Sequence, residues 1–127
     1  MLLNDLFLVD KWQGGYNKLT ACLRVQVPHP IFNGHFPGRP VVPGACLVQL
    51  VEEMSRTAAG REIRLIRAGP IKFIAMIDPL RDGVIEMTLT AKELQAGEWQ
   101  VTADGTNAGA ICFRFKGVFR AGSDYAE

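Results

Sequence analysis

The sequence lacks a strong excess of charge of either sign. Fourteen lysine and arginine residues stand against thirteen aspartate and glutamate residues, which leaves a formal charge of +1 in 127 residues. Proteins whose main partner is duplex DNA or an anionic membrane need a basic excess. We therefore expect neither nucleic acid nor membrane as a partner, while a local basic patch stays compatible with this balance.

Cysteine is scarce and is not arranged for a disulfide framework or a zinc site. The three cysteines, Cys22, Cys46 and Cys112, are an odd number without a Cys-x-x-Cys pair. We expect a cytoplasmic protein, and we interpret Cys46 and Cys112, which lie in apolar stretches, as small core residues. The sequence contains no run of eighteen apolar residues, so we expect no membrane-spanning helix. The first ten residues contain Asn4 and Asp5 and no basic residue, which is not typical of a signal peptide.

Apolar residues are plentiful and make up 48% of the chain, against 21% charged residues. This composition excludes a disordered, solvated chain. A chain of this length buries about two-thirds of its surface on folding, which is enough for a core without disulfide or metal staples. We expect a single domain over residues 1–127, with its core from about 6 to 120.

One helix is predicted, from about Gly44 to Ala59. It follows a proline and ends at Gly60, a residue suited to the left-handed conformation that closes helices. Apolar residues cover most of its circumference, which is typical of a helix buried on nearly all sides. One polar stripe interrupts them at spacings of three and four residues: Gln49, Glu52, Glu53 and Arg56.

The rest of the chain is predicted to form strands. Turn residues separate six apolar or alternating segments, which cover residues 6–9, 19–27, 63–77, 84–94, 98–103 and 110–120. Their short connections favour antiparallel pairing of neighbouring strands. The expected fold class is α+β, with one long central helix wrapped by a curved antiparallel sheet of about six strands.

The segment 28–43 joins the second strand to the helix and holds five of the seven prolines. Proline lacks a backbone donor and disfavours helix in the residue before it, so we expect an irregular loop. The segment is also apolar, with Ile31, Phe32, Phe36, Val41 and Val42. An apolar loop of this length typically packs over another element or carries a site.

Two residues of this region combine into a chemical hypothesis. His35 lies in the stiff loop, and a histidine titrates near neutral pH and can act as a general base. Gly44 stands at the start of the helix, where free N–H groups can hydrogen-bond a carbonyl oxygen and a ligand can approach the bare backbone. A base beside such a site suits the removal of a proton next to a carbonyl group.

The run 34–44 reads Gly-His-Phe-Pro-Gly-Arg-Pro-Val-Val-Pro-Gly. It resembles the FabZ and FabA families of 3-hydroxyacyl-acyl-carrier-protein dehydratases, whose hotdog fold carries Gly-His-Phe-Pro-Gly-x-Pro-x-x-Pro-Gly at the start of the central helix. The resemblance implies that His35 removes the α-proton of a 3-hydroxyacyl thioester. It also implies that the Gly44 N–H polarises the thioester carbonyl.

The second catalytic residue of the family, a helical Glu or Asp, falls at Gln49. An amide cannot give or take a proton at neutral pH, so Gln49 would hold the 3-hydroxyl without protonating it. The family commonly has Gln one helical turn later, where this chain has Glu53. We hypothesise that Glu53, ahead of Glu52, supplies the acid through a shifted pose or a water. The alternative is an ordinary charged stripe with helix ion pairs.

The resemblance also implies where substrate, carrier and partner bind. The residues expected to line the acyl tunnel are Phe36, Val41, Val42, Pro43, Leu47 and Val48. Arg39 and Lys72 are candidates for contact with an acyl carrier protein or with the phosphate of its phosphopantetheine arm. In the family the histidine and the helical acid of one site come from different protomers. A homodimer or an oligomer of dimers is therefore expected, or else a heterodimer with a paralogue.

Dehydration of 3-hydroxyacyl thioesters to trans-2-enoyl thioesters, in fatty-acid or related polyene or polyketide synthesis, is the function expected first. The thioester would be linked to acyl carrier protein or coenzyme A. Neither metal nor organic cofactor is expected, because elimination needs only a base, an acid and oxyanion stabilisation. Two alternatives stay open. One is a catalytically impaired acyl-binding or scaffold subunit that pairs with an active dehydratase paralogue, and the other is a hotdog acyl thioesterase.

Overall fold

The computed structural model describes residues 1–15, 17–33 and 40–122. Within these residues the chain forms six strands and one α-helix, which confirms the predicted α+β class. They are β1 (Phe7–Gly14), β2 (Lys18–Val25), α1 (Gly44–Ala59), β3 (Ile63–Phe73), β4 (Val84–Gln95), β5 (Glu98–Asn107) and β6 (Ala110–Ala121). None of the helical segments in these ranges is long and apolar enough to cross a membrane.

The strands form one sheet in the order β1-β2-β4-β5-β6-β3. Every adjacent pair is antiparallel, and the short connections predicted this for β1–β2, β4–β5 and β5–β6. Alternation along β2 sends Leu19, Ala21 and Leu23 into the core. The sequence did not predict that β3 passes beyond β6 to the far edge. Because of that crossing, β1 and β3 are the two edges of the sheet.

The helix α1 begins and ends where the sequence predicts. Gly60 closes it with a φ of 66°, and its N–H donates to the Arg56 carbonyl at 3.0 Å. Leu50, Val51 and Met54 are fully buried in the core. The prediction of burial on nearly all sides is wrong for the single chain, because one stripe of the helix stays exposed or half-exposed. This stripe, the open face of α1, consists of Ala45, Val48, Gln49 and Glu52.

The loop before the helix is less irregular than predicted. Pro30–Asn33 forms a 3₁₀ turn, which the fixed φ of its first residue favours. The ring of His29 holds the turn, since its Nδ1 accepts the Ile31 N–H at 3.0 Å. Phe32 is buried against the core and anchors this end of the loop.

The edge strand β3 is interrupted. Its register against β6 shifts at 65–67 and again at 68–71. Pro70, inside the second shift, has no N–H to offer a neighbouring strand. At Gly69 a β-carbon would come within 2.9 Å of the Lys116 carbonyl oxygen, so the close approach of the two strands requires glycine.

Candidate active site

An apolar groove opens at the N-terminus of α1. Its volume is about 410 Å³, and one wall consists of the loop end and the first turn of the helix. The structure brings together here five of the residues predicted to bind substrate or polarise it: Val41, Val42, Pro43, Gly44 and Leu47. The volume is in the range of small-molecule sites, so the groove is large enough for part of an acyl chain.

The opposite wall of the groove consists of residues 73–77 and was missed in the sequence. The Val42 N–H donates to the Ile77 carbonyl at 3.1 Å, which ties the two walls together. Phe73, Ile74 and Met76 are 55%, 53% and 68% exposed. The sequence feature that could have identified this wall is its uninterrupted apolar run, because a half-buried strand would alternate apolar and polar residues. An exposed apolar patch of this kind marks a ligand or protein contact.

The wall of the groove that contains the loop end also contains the N-terminus of α1. Pro43 precedes the helix with φ −62° and ψ 140° and supplies no side-chain hydrogen bond to it. The first N–H groups of a helix lack intrahelical partners, and the helix dipole favours negative charge beside them. Cys46 donates its N–H back to the Pro43 carbonyl at 3.0 Å. Gly44, at this N-terminus, lines the groove.

Three predicted residues, His35, Phe36 and Arg39, lie outside the described residues. The chain on both sides of them is anchored, because Phe32 and Val41 are each 8% exposed. Among the described residues, no group of three His, Cys, Asp or Glu side chains is arranged to hold a metal ion.

Gln49 and Glu53 do not line the groove, and they form a pair of their own. The Gln49 Nε2 donates to Glu53 Oε2 at 2.8 Å. Glu53 is only 2% exposed, so the predicted polar stripe does not include it. Its carboxylate accepts the Leu2 N–H at 2.8 Å on both oxygens and the Leu3 N–H at 2.9 Å on Oε1. Glu53 is therefore an acceptor for donors of its own chain.

The charged residues of the helix form fewer ion pairs than the charged-stripe alternative requires. Arg56 lies 3.8 Å from Glu62, beyond the end of the helix. Within the described part of the chain, neither Glu52 nor Glu53 forms an ion pair. An ordinary stripe of helix ion pairs does not describe this face of α1.

Lys72, predicted to contact a carrier, lies on β3 directly opposite Arg114 of β6. Both line a shallow pocket of about 290 Å³ together with Lys116. Arg114 is 3.5 Å from the Asp104 carboxylate. Neither Lys72 nor Lys116 forms an ion pair with any described residue. These three cations, the basic patch, leave a net positive charge beside the edge strand.

Comparison with known proteins assigns this chain to a family. A family model described as ApeI dehydratase matches residues 11–111, which is most of the chain. The chain belongs to the ApeI-like dehydratase family. This membership confirms the predicted relationship to FabZ- and FabA-type dehydratases.

Curated relatives of this chain include the 3-hydroxyacyl-[acyl-carrier-protein] dehydratase FabZ of Klebsiella pneumoniae. The two are 32% identical over 63 residues, which is 50% of this chain and 42% of the relative. The matched segment thus spans less than half the length of that relative.

Solved structures show that the fold is the hotdog fold, as predicted. The dehydratase heterocomplex ApeI:P from Xenorhabdus doucetiae superposes with a TM-score of 0.77 at 16% identity, over 90% of this chain and 97% of that chain. A hypothetical thioesterase with coenzyme A from Streptococcus pneumoniae gives 0.67 at 12% identity, over 94% and 88%. At these identities the likeness concerns the fold, which dehydratases and thioesterases share.

Proposed function

We propose that this chain is a subunit of a dehydratase that converts 3-hydroxyacyl thioesters to trans-2-enoyl thioesters in fatty-acid, polyene or polyketide synthesis. The observation that carries the proposal is the groove at the N-terminus of α1, where the main chain at Gly44 meets an apolar channel. A thioester carbonyl at this point would gain N–H hydrogen bonds as negative charge develops on its oxygen. The acyl chain would lie between Val42 and Met76.

In the proposed reaction His35 removes a proton from C2 of the acyl chain. The electron pair of that C–H bond forms the C2–C3 double bond, and the C3–O bond breaks. The departing hydroxide needs a proton, which in the family comes from a helical carboxylic acid. Gln49 stands at that position, and its amide can hold the 3-hydroxyl but cannot protonate it. His35 could instead return the proton that it took from C2 to the departing hydroxide. This transfer would form water without a second acid.

The position of Gln49 supports a site that is shared between two protomers. Successive residues of a helix are about 100° apart, so Gln49 lies about 160° around the axis from the groove residue Leu47. A side chain on that side of α1 cannot reach the groove of its own chain. We assign Gln49 to the groove of a second protomer. Ala45 and Val48 on the open face of α1 and the exposed Phe73 and Met76 are apolar residues that such a protomer would cover.

A heterodimer is the second candidate, and the contacts of Gln49 and Glu53 favour it. With an amide at position 49 and the Glu53 carboxylate engaged by main-chain donors, neither position offers a free carboxylic acid on the hydroxyl side. A paralogue that carries a helical acid would complete one of the two sites, using His35 of this chain. The relative from Xenorhabdus doucetiae is described as a dehydratase heterocomplex, which is consistent with such pairing.

The basic patch favours an acidic carrier protein as the source of the acyl group. Like charges directly opposite each other on neighbouring strands are unfavourable, yet Lys72 faces Arg114 across β3 and β6. An acidic partner docked on this surface would remove that repulsion. Coenzyme A, which is small, would gain less from a patch spread over two strands.

The test is turnover by the purified chain, alone and together with a co-expressed paralogue. It is incubated with 3-hydroxyacyl thioesters of acyl carrier protein and of coenzyme A, and the absorbance of the enoyl thioester is followed. We expect enoyl product, and its loss in His35→Ala. Release of free thiol without enoyl product would instead identify a thioesterase. Absence of both products, in the homomeric and the paired protein, would overturn the proposal.

A further inference from the structure

The carboxylate of Glu53 is buried and engaged by uncharged donors. Glu53 is 2% exposed. Burial of a carboxylate costs free energy unless its oxygens are hydrogen-bonded. Three donors meet that need: the main-chain N–H groups of Leu2 and Leu3 and the amide of Gln49. A protonated carboxyl would turn one oxygen into a donor that faces an N–H group. The arrangement therefore suits an acceptor rather than a proton donor.

The main-chain donors are themselves held in place. The Leu2 carbonyl accepts the N–H groups of Asp5 at 3.1 Å and Phe7 at 2.9 Å, which closes residues 2–7 into a compact loop. Asn4 turns this loop with a φ of 65°, a conformation that asparagine tolerates better than most residues. Leu3 is 8% exposed and packs in the core. The Glu53 carboxylate is thus held between this N-terminal loop and the Gln49 amide.

The chemistry of the carboxylate determines how the Gln49 amide is oriented. A carboxylate has no hydrogen to donate, so only the Nε2 of Gln49 can face it, and Oε1 is turned away. Gln49 is exposed on the open face of α1, so the atom it offers to a ligand is a carbonyl oxygen. Such an oxygen accepts a hydrogen bond from a hydroxyl group and repels the oxygen of a ketone.

We propose that Glu53 is a positioning residue that holds the Gln49 amide so that the site selects acyl chains with a hydroxyl at C3 over those with a ketone at C3. The inference rests on the proposed function, in which Gln49 faces C3 of the substrate. It adds a specificity that the reaction requires, because 3-oxoacyl thioesters differ from the substrate at that carbon alone and cannot lose water across C2 and C3.

The experiment compares binding of three pantetheine amides of one chain length: 3-hydroxyacyl, 3-oxoacyl and saturated acyl. Amides have less acidic α-protons than thioesters, so binding is measured without turnover. The protein is the full chain, and dissociation constants are obtained by calorimetry. We expect the hydroxyl compound to bind on the order of tenfold tighter than the ketone. The hydroxyl donates a hydrogen bond to the Gln49 oxygen, whereas the ketone would set two acceptor oxygens against each other.

Glu53→Gln is the decisive variant. The amide that it introduces offers both an oxygen and an NH₂ group to Gln49, so the Gln49 amide can turn either way and the preference should fall to about twofold or less. Affinity for the saturated compound should not change, which separates this role from a loss of structure. Glu62→Gln is the matched control, since it removes one exposed carboxylate just beyond the same helix, and it should keep the preference.

A second variant covers the case in which Glu53→Gln fails to fold. Gln49→Met keeps the length of the side chain and removes the amide, so the preference should disappear while Glu53 keeps its main-chain donors. An unchanged preference in either variant, or none in the unaltered chain, overturns the inference. Enoyl formation from the thioester is measured in parallel. If the chain prefers the hydroxyl compound but forms no enoyl product, the proposed function is overturned and this inference stands.

Discussion

The aromatic ring of Phe73 lies directly over Gly44. A β-carbon built at Gly44 would come within 2.8 Å of the ring, closer than carbon atoms approach in folded proteins. Phe73 in turn stacks on Phe113, with the ring centroids 5.6 Å apart. The end of β3 and the start of α1 are thus fitted to each other where the groove begins, and glycine is what allows this fit.

Gly44→Ala is therefore expected to displace the Phe73 ring. Overpacking of this kind costs on the order of 1 kcal/mol in the free energy of unfolding, and it shifts one wall of the groove, so kcat/KM for dehydration should fall. The measurement is urea unfolding together with enoyl formation. In a Phe73→Ala background the added methyl has room, and the stability cost of Gly44→Ala should vanish. A cost that is the same in both backgrounds would show that Phe73 is not its cause.

Exchanging the two paired residues, as Gln49→Glu with Glu53→Gln, should restore the usual position of the acid. The hydrogen bond between them persists with donor and acceptor reversed, and the amide oxygen introduced at position 53 can still accept from Leu2 and Leu3. General acid catalysis contributes about 10²-fold or more, so we expect at least a tenfold rise in the rate of enoyl formation by the homomeric protein.

The single variants are the controls for this exchange. Gln49→Glu alone sets two carboxylates against each other one helical turn apart and should destabilise the fold. An exchanged protein that folds normally and is no faster than the original would mean that protonation of the leaving hydroxyl does not limit the reaction.

Lys72→Glu should weaken the use of acyl carrier protein and leave the use of coenzyme A thioesters nearly unchanged. The substitution reverses one charge of the basic patch, so KM for the carrier-linked substrate should rise about three- to tenfold at low salt and less at high salt. Lys18→Glu is the matched control, because it reverses one exposed charge on β2, at the other side of the sheet. Equal effects of the two variants would argue against a localised docking surface.

The cysteines should differ in reactivity. Burial raises the pKa of the Cys46 and Cys112 thiols above the ordinary value, so at a given pH less of each is the reactive thiolate. Cys22 is only half-buried. At about pH 8, near the ordinary pKa of a thiol, we expect a thiol reagent to modify Cys22 quickly and the other two only on unfolding, as counted by mass spectrometry. Cys22→Ser should abolish the fast phase, and fast labelling of Cys46 in the folded protein would contradict its burial.

Local structure was predictable from the sequence because local chemistry determines it. The end of α1 follows from the left-handed preference of Gly60, and β2 follows from its alternation of apolar and polar residues. The groove wall 41–44 was expected as well, because prolines and a helix start define it. What the sequence could not provide is pairing between distant segments, such as the placement of β3 beyond β6.

The same limit explains the two surprises of the site. The contact of Glu53 with Leu2 joins residues 51 positions apart, and neither residue type hints at the other. The spacing of Gln49 and Glu53 predicted their proximity correctly. It could not predict that N-terminal amides would occupy the carboxylate, or that Phe73 would close over Gly44.

The interruptions of β3 bear on the tendency of this protein to aggregate. An unbroken edge strand recruits further strands without limit, whereas a proline and a shift of register stop such growth. At the opposite edge of the sheet, the register of β1 is broken as well, between Val9 and Lys11. Both edges of the sheet would therefore be poor templates for fibres.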